Sequence, residues 1–224
     1  DWAELDSFWA WVHQQPHLRG FNVTIPHKQA ILPYLDEVAP EAQAVGAVNT
    51  VVRHVGGKTI GHNTDIIGFQ ESLTQWKDAL EVPLRRALVL GTGGASKAVV
   101  YVLQQMNLDQ VDRVSRQPQR PHQLGYEDLV GPERLPSYDL VVNTTPLGMQ
   151  PHIHTAPPLD YGVLQPRQLV YDLVYTPNNT LFLQRAKSQG CPVKGGLHMF
   201  QAQAEASWRH FRACIQAAEE DLTK

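Results

Sequence analysis

The stretch ALVLGTGGAS, residues 87–96, decides the fold of this chain. Ala87–Leu90 is a short, uninterrupted apolar run, which is typical of a strand buried on both faces of a parallel sheet. The glycine-rich turn after it leads into a segment rich in Ala, Val and Leu, which predicts a helix to about Gln105. A strand, a tight turn and a helix are the context in which Gly-x-Gly predicts a nucleotide-binding site.

Each small residue of this turn has a separate role in such a site. Gly91 permits the tight turn, and Gly93 lets the backbone approach a pyrophosphate closely. The third position needs a small residue for packing of helix on strand, and Ser96 is small although it is not glycine. The first N–H groups of the helix then face the phosphates. The predicted pyrophosphate-binding residues are Gly91, Thr92, Gly93, Gly94 and Ala95.

The end of the next strand indicates which dinucleotide is bound. Gln110–Val114 is predicted as that strand, and it is followed by Ser115 and Arg116, with Arg120 a turn later. Two guanidinium groups suit the 2′-phosphate of NADP, so NADP is expected and NAD is the alternative. Asp112 lies within the strand rather than at its end, where a ribose-binding acid belongs.

Strands and helices alternate from residue 86 onward, which predicts an α/β fold with a parallel sheet. Further strands are expected at Asp139–Asn143 and Leu169–Leu173, and a boundary at Glu81–Arg86. The earlier part predicts a mixture of short elements, namely a helix around Leu5–Val12, a strand at Phe21–Ile25, a helical stretch at Gln29–Leu35, a hairpin of Ala47–Val52 and Thr59–Asn63 turning at Gly56-Gly57, and a helix at Asp65–Leu80. A final helix over 196–217 is expected to bury a stripe of Leu197, Phe200, Ala204, Trp208 and Phe211.

Composition excludes several classes of protein. The 224 residues carry a net charge of −3 and 18% charged residues, whereas a nucleic-acid-binding protein needs a basic face. No apolar run approaches the roughly 18 to 20 residues of a membrane span. The two cysteines, Cys191 and Cys214, are too few for a disulfide framework and indicate a reducing compartment, hence the cytoplasm. His152 and His154 lack further residues at ligand spacing, so no metal is expected.

Three short polar motifs precede the nucleotide-binding segment: NVTIPHK at 22–28, GAVNT at 46–50 and GHNTD at 61–65. Each places polar side chains at the end of a predicted strand, where ligands bind in open α/β sheets. Lys28 and Asp65 could pair, with the carboxylate orienting an ammonium that exchanges a proton with an alcohol or carbonyl oxygen. Taken singly, Lys28 also fits a surface charge, Asp65 a helix cap and Asn49 a turn residue.

Together with four later motifs, these segments resemble the shikimate dehydrogenase family. The motifs that carry the resemblance are NVTIPHK (22–28), GAVNT (46–50), GHNTDIIGF (61–69), LVLGTGGASKA (88–98), VNTTPLGM (142–149), YDLVYTP (171–177) and GGLHMFQAQA (195–204). The resemblance implies reversible, metal-free reduction of 3-dehydroshikimate to shikimate with NADPH. It also implies two domains: a substrate domain over 1–82 and a Rossmann-type NADP domain over 83–195, with a helix over 196–224 that packs back on the substrate domain.

The resemblance also assigns roles to single residues. It makes Lys28 the catalytic acid and base, and Asp65 its paired aspartate. The implied substrate contacts are Thr24, Asn49, Asp65, Tyr175 and Gln203. The implied adenosine-phosphate contacts are Ser115, Arg116 and Arg120, and the positions near the nicotinamide are Leu173 and Gly196.

The chain departs from the family pattern at its start. The family begins with a strand and a Ser-x-Ser loop that binds the substrate carboxylate, and no such loop precedes Asp1, so an N-terminally truncated chain of reduced activity is expected. Alternatives are a quinate-type enzyme with relaxed cofactor use and a non-catalytic sensor of dinucleotides. The sequence leaves monomer and homodimer open.

Overall fold

A computed structural model of the chain describes residues 4–119 and 123–222. The α-helices of these residues are α1 Leu5–His13, α2 Pro40–Val45, α3 Asp65–Ala79, α4 Gly94–Gln105, α5 Leu181–Ser188 and α6 Leu197–Leu222. The strands are β1 Gly20–Asn22, β2 Glu37–Val38, β3 Thr50–Arg53, β4 Thr59–His62, β5 Arg86–Leu90, β6 Gln110–Val114, β7 Gln123–Leu124, β8 Leu140–Asn143, β9 Leu169–Asp172 and β10 Val193–Lys194. They form a four-stranded and a six-stranded sheet.

The larger sheet is parallel throughout, in the order β10-β9-β8-β5-β6-β7. Side chains of β5 alternate between its two faces: Ala87 and Val89 pack with α3 and α4, while Leu88 and Leu90 pack with α5. All four are fully buried, as a strand with helices on both faces requires. The predicted α/β class and the predicted parallel sheet are therefore confirmed.

The strand order reverses at β5. From β5 the chain adds β6 and β7 on one side, and then returns to add β8, β9 and β10 on the other. Ligands of open α/β sheets bind at such a switch point, beyond the carboxyl ends of the strands. The glycine turn of residues 91–93 follows β5 directly, so the fold places it there.

The smaller sheet has the order β1-β3-β4-β2, and its strands β3 and β4 form an antiparallel hairpin. The hairpin turns at Gly56 and Gly57, whose φ angles of 88° and 94° lie in the left-handed region that glycine adopts without a Cβ clash. The predicted hairpin is therefore confirmed. Helix α1 covers this sheet through Leu5 and Trp9, which pack against its buried core.

Residues 29–35 differ from the helix that the sequence predicts. Only a single 3₁₀ turn, Leu32–Tyr34, forms there, and the residues before it are turns. Pro33 explains the difference, because proline has no N–H to donate and fits only the first turn of a helix. The strand predicted over 21–25 also stops at Asn22, ahead of Pro26.

The buried face of α6 is not the predicted stripe. Trp208 is 57% exposed, and Leu197 and Phe200 are 42% and 41% exposed. The buried residues of α6 are instead mostly small: Met199, Ala202, Ala206, Ser207, Cys214 and Ala218. Small residues let two helices approach closely, and α6 packs on α3 through this face. The periodicity of the large apolar residues therefore marked the wrong side of the helix.

Gly68 of α3 lies in close contact with α6. A Cβ at this position would lie 2.6 Å from the Met199 carbonyl oxygen and 2.9 Å from Gln203 Cβ. A glycine-to-alanine change in a helix normally stabilises by up to about 1 kcal/mol. Here we expect Gly68→Ala to lower the free energy of unfolding by about 1–3 kcal/mol, because α6 must move away. Urea denaturation measures this, with the exposed Gln70→Ala on the same helix as the control; a Gly68→Ala protein as stable as wild type would contradict the expectation.

Candidate active site

Lys28 and Asp65 form a largely buried ion pair. Lys28 Nζ lies 2.6 Å from Asp65 Oδ2, and the two side chains are 14% and 7% exposed. Asp65 is the first residue of α3, so its carboxylate also lies at the positive end of the helix. The cap position itself is Thr64. The predicted pairing is therefore confirmed, and neither side chain is an ordinary surface charge.

Asn49 and Gln203 join this pair from other elements. Asn49 Nδ2 donates to Asp65 Oδ1 at 3.0 Å, and Asn49 Oδ1 accepts from the Thr64 N–H at 2.8 Å. Gln203 of α6 accepts from Asn49 Nδ2 and Thr64 Oγ1, both at 3.4 Å. Residues far apart in sequence thus meet around one carboxylate, which leaves a cluster of amide, hydroxyl and ammonium groups suited to a polyhydroxylated molecule.

Ser207 supports the cluster and was not singled out from the sequence. Ser207 is buried, with 2% of the residue exposed. Its hydroxyl oxygen lies 2.7 Å from Thr50 Oγ1 and 3.0 Å from Thr64 Oγ1. It also accepts from Asn22 Nδ2 at 3.1 Å. The available signal was its position one helical turn after Gln203, which puts both side chains on one face of α6.

Two further predicted substrate contacts, Thr24 and Tyr175, are exposed. Thr24 is exposed, and its carbonyl oxygen accepts from the His27 N–H at 2.8 Å in the turn that carries Lys28. Tyr175 follows β9 and stacks on Phe200, with ring centroids 4.3 Å apart and ring planes 18° apart. Phe200 lies one turn before Gln203 on α6, so the stack joins the loop after β9 to the helix that carries Gln203.

The glycine turn fits a dinucleotide phosphate group. Gly91 has a φ of +112°, and a Cβ there would lie 2.7 Å from Thr144 Oγ1, so only glycine suits the position. Ser96 donates its hydroxyl to the Gly91 carbonyl at 2.7 Å, which explains why a small polar residue serves as the third fingerprint residue. Gly93 caps α4 without a side-chain hydrogen bond, and a Cβ on it would meet nothing within 4 Å. The space beside Gly93, at the N-terminus of α4, is therefore open, and a helix N-terminus favours an anion.

The turn and the ion pair lie next to each other. A Cβ built on Gly94 would lie 3.3 Å from Lys28 Cβ and 3.7 Å from Ala47 Cβ. The predicted cofactor turn and the predicted acid/base lysine are therefore neighbours across the boundary between the two sheets.

The predicted adenosine-phosphate residues follow β6. Ser115 donates its N–H to the Leu124 carbonyl at 2.8 Å and accepts at Oγ from the Gln117 N–H, so the loop is held in place. Arg116 is exposed, and its charge partly opposes the burial that raises the pKa of Tyr126. Arg120 lies outside the described residues. Asp112 is buried and accepts from Tyr138 and Gln110, both at 2.5 Å, so it is occupied within the fold.

Leu173 and Gly196, the predicted nicotinamide neighbours, lie against each other. A side chain on Gly196 would collide with the Leu173 carbonyl, and the Gly196 N–H donates to the Val174 carbonyl at 3.2 Å. The loop after β9 and the start of α6 are thus joined at this point.

Asp172, the last residue of β9, holds the loop after β9 through its side chain. Its carboxylate is fully buried and accepts from Thr180 Oγ1 at 2.5 Å, Asn143 Nδ2 at 2.9 Å and the Val174 N–H at 3.0 Å. Burial raises the pKa of Asp172 to about 6, and the three hydrogen bonds only partly oppose this. The ends of β8 and β9 and the start of α5 are therefore held by one titratable group.

The raised pKa of Asp172 predicts a pH-dependent stability. Its ordinary value is 3.8, so between about pH 4 and pH 6 the folded chain binds this proton more tightly than the unfolded chain. The stabilisation, on the order of 3 kcal/mol, is complete below about pH 4 and is lost as the pH rises through about 6. Urea denaturation of wild type and Asp172→Asn from pH 4.5 to 7.5 measures this. We expect the advantage of wild type over the variant to shrink as the pH rises; a difference that is constant or grows would contradict it.

Metal-binding and membrane-spanning features are not found in the described part of the chain. No group of three or more His, Cys, Asp or Glu side chains there is arranged to hold a metal ion. No helix among the described residues combines the length and apolarity needed to span a membrane. Cys191 and Cys214 are buried and free.

Comparison with known proteins gives consistent matches. Residues 3–51 match the family model for the shikimate dehydrogenase substrate binding domain. The chain is 36% identical over 228 residues to the shikimate dehydrogenase (NADP(+)) of Desulforamulus reducens, covering 93% of this chain and 77% of the relative. It is 43% identical over 225 residues to that of Salinibacter ruber, covering 92% and 78%.

Two solved structures superpose on most of the chain. Shikimate 5-dehydrogenase from Thermus thermophilus, in complex with NADP(H) and shikimate, superposes with a TM-score of 0.78 at 33% identity, covering 97% of this chain and 85% of that one. Quinate dehydrogenase from Corynebacterium glutamicum, in complex with NAD, superposes with a TM-score of 0.77 at 30% identity, covering 99% and 83%.

Proposed function

This chain belongs to the shikimate dehydrogenase family, and we propose that it catalyses the reversible NADPH-dependent reduction of 3-dehydroshikimate to shikimate. The observation that carries the proposal is the ion pair of Lys28 and Asp65 at 2.6 Å, placed beside the glycine turn. A protein that only binds a dinucleotide needs no buried ammonium next to the cofactor turn, so the pair favours an enzyme over a sensor.

Lys28 is the proposed proton donor. Its ammonium is held by Asp65 in one orientation, which prepares it to donate a proton to a ketone oxygen and, in the reverse direction, to accept one from a hydroxyl group. The carboxylate of Asp65 balances the charge of the buried ammonium. When bound, the reduced nicotinamide supplies the hydride that reaches the ketone carbon.

The remaining residues bind and orient. We assign the substrate hydroxyl groups to Thr24, Asn49, Asp65, Tyr175 and Gln203. Of these, Asn49, Asp65 and Gln203 belong to the hydrogen-bonded cluster around the Asp65 carboxylate. The open N-terminus of α4 and the turn of residues 91–95 suit the pyrophosphate of NADP, and Leu173 and Gly196 suit the nicotinamide end. Ser115, Arg116 and Arg120 are assigned to the adenosine phosphate.

The domain assignment follows the two sheets. We propose a substrate domain over 1–82, an NADP-binding domain over 83–195 and a closing helix over 196–224. The smaller sheet lies within the first range and the larger sheet within the second, while Gln203 and Ser207 of α6 bond to residues of the first. The two buried free cysteines support a cytoplasmic location, where thiols stay reduced.

Oxidation of NADPH at 340 nm in the presence of 3-dehydroshikimate tests the proposal. We expect turnover that depends on both compounds, with kcat/KM at least about 10-fold higher for NADPH than for NADH, since a guanidinium contact to the 2′-phosphate is worth that much or more. Equal turnover with both cofactors would contradict the NADP assignment. Turnover of 3-dehydroquinate, the corresponding ketone of quinate, without turnover of 3-dehydroshikimate would contradict the substrate assignment. Turnover of neither compound would contradict it as well.

A further inference from the structure

Lys97 belongs to α4, the helix after the glycine turn, yet its ammonium contacts the elements that carry the proposed catalytic residues. Nζ donates to Gln29 Oε1 at 2.7 Å and lies 3.5 Å from the Gly46 carbonyl oxygen. A Cβ on Gly46 would itself lie 3.6 Å from the Lys97 ammonium. One cationic side chain therefore spans the boundary between the cofactor turn and the smaller sheet.

Gln29 and Gly46, which Lys97 contacts, adjoin proposed catalytic or binding residues. Gln29 directly follows Lys28, and Gly46 opens the segment that leads to Asn49. The two segments are also joined to each other, because the Val48 N–H donates to the Lys28 carbonyl at 2.7 Å. A displacement of either segment relative to α4 would therefore move the Lys28 backbone.

The helix dipoles favour a bridging role for this ammonium. Lys97 is the fourth residue of α4, close to the positive end of that helix, where a cation is unfavourable for the helix itself. Gly46 is the C-cap of α2, and the carbonyl groups at that end carry the negative end of the dipole. The charge is thus poorly placed for its own helix and well placed for the opposite one.

We propose that Lys97 is a positioning residue that fixes Lys28 relative to the glycine turn and couples cofactor binding to the Lys28 segment. It acts through Gln29 and Gly46, and its importance for turnover rests on the proposed function of Lys28. The competing role for an ammonium on this helix is a direct contact with a cofactor phosphate, and the two roles predict different kinetics.

Steady-state kinetics and NADPH binding separate these roles. We expect Lys97→Met to lower kcat about 10-fold at saturating NADPH, since misplacement of a reacting group by about 1 Å can cost up to 100-fold. The Kd for NADPH, measured by its fluorescence, should stay within about twofold, and Lys97→Arg should restore most of kcat because a guanidinium can reach the same oxygens.

Lys187→Met on α5, an exposed lysine, is the matched control. A Kd raised about 10-fold with kcat unchanged would assign Lys97 to a phosphate and overturn the proposal.

Gln29→Ala tests the same interaction by removing the side chain that accepts the hydrogen bond from Lys97. Gln29 is exposed, so its removal leaves the fold intact, and we expect a smaller fall in kcat with the Kd for NADPH unchanged. Wild-type kcat in both Gln29→Ala and Lys97→Met would overturn the proposal.

Hydrogen–deuterium exchange provides a readout that does not depend on turnover. In wild type, NADPH should slow exchange in residues 91–97 and also in 26–31 and 46–49. In Lys97→Met the protection should be confined to 91–97. A wild-type chain that shows the coupled protection but no turnover would refute the proposed function and leave the coupling in place. A chain that turns over without protection of 26–31 would refute the coupling alone.

Discussion

Lys28→Ala is expected to lower the turnover number at least about 100-fold, the usual scale for loss of an acid/base group. The ammonium that donates the proton is absent in this variant, and Asp65 loses the partner 2.6 Å away that balances its charge. The measurement is kcat for NADPH oxidation with 3-dehydroshikimate. The Kd for NADPH should change little, because the glycine turn is intact.

Lys58→Ala is the matched control for this variant. Lys58 pairs with Glu37 at 2.6 Å on the surface, with 57% of its side chain exposed, and is expected to retain wild-type turnover. Near-normal turnover of Lys28→Ala would remove Lys28 from the mechanism.

Asp65→Asn is expected to lower kcat/KM by a factor on the order of 10³, because both catalysis and substrate binding are affected. The amide cannot balance the Lys28 charge. The carboxylate of Asp65 accepts hydrogen bonds from Lys28 and Asn49, whereas the NH₂ group of an asparagine is itself a donor and would face one of these donors. The kcat should fall and the KM should rise, which distinguishes this variant from one with a binding defect alone. Breaking a buried pair also destabilises by roughly 3–5 kcal/mol, so unfolding must be measured in parallel.

Asp78→Asn is the control on the same helix. Asp78 lies near the other end of α3, where its side chain is 58% exposed and pairs with Lys77. It should leave kcat/KM unchanged. A folded Asp65→Asn protein with wild-type kcat would show that the carboxylate does not orient the proton donor.

Much of the larger sheet could be predicted because its signals are local. The apolar run Ala87–Leu90, the glycine turn and the apolar helix after it each depend on neighbouring residues, and the structure reproduces all three. The pairing of Lys28 with Asp65 was also predictable, since both follow strand-like segments whose ends converge.

What the sequence did not predict depends on distant contacts. The buried face of α6 is decided by the close approach to Gly68 of α3, which favours small residues that carry little periodic signal. Ser207 bonds to Thr50 and Thr64, more than 140 positions earlier in the chain. Its position one helical turn after Gln203 places it on the same helix face but does not identify these partners. The short 3₁₀ turn at Leu32–Tyr34 replaced an expected helix because Pro33 outweighed the apolar pattern.

Rescue of Lys28→Ala by an added amine tests the central claim most directly. The claim is that a primary ammonium beside the Asp65 carboxylate supplies the proton. We therefore expect methylammonium to raise the kcat of Lys28→Ala in proportion to its concentration, and to have no such effect on Lys28→Ala combined with Asp65→Asn. A folded, NADPH-binding Lys28→Ala protein whose turnover does not respond to methylammonium, or responds equally without the carboxylate, would contradict the account.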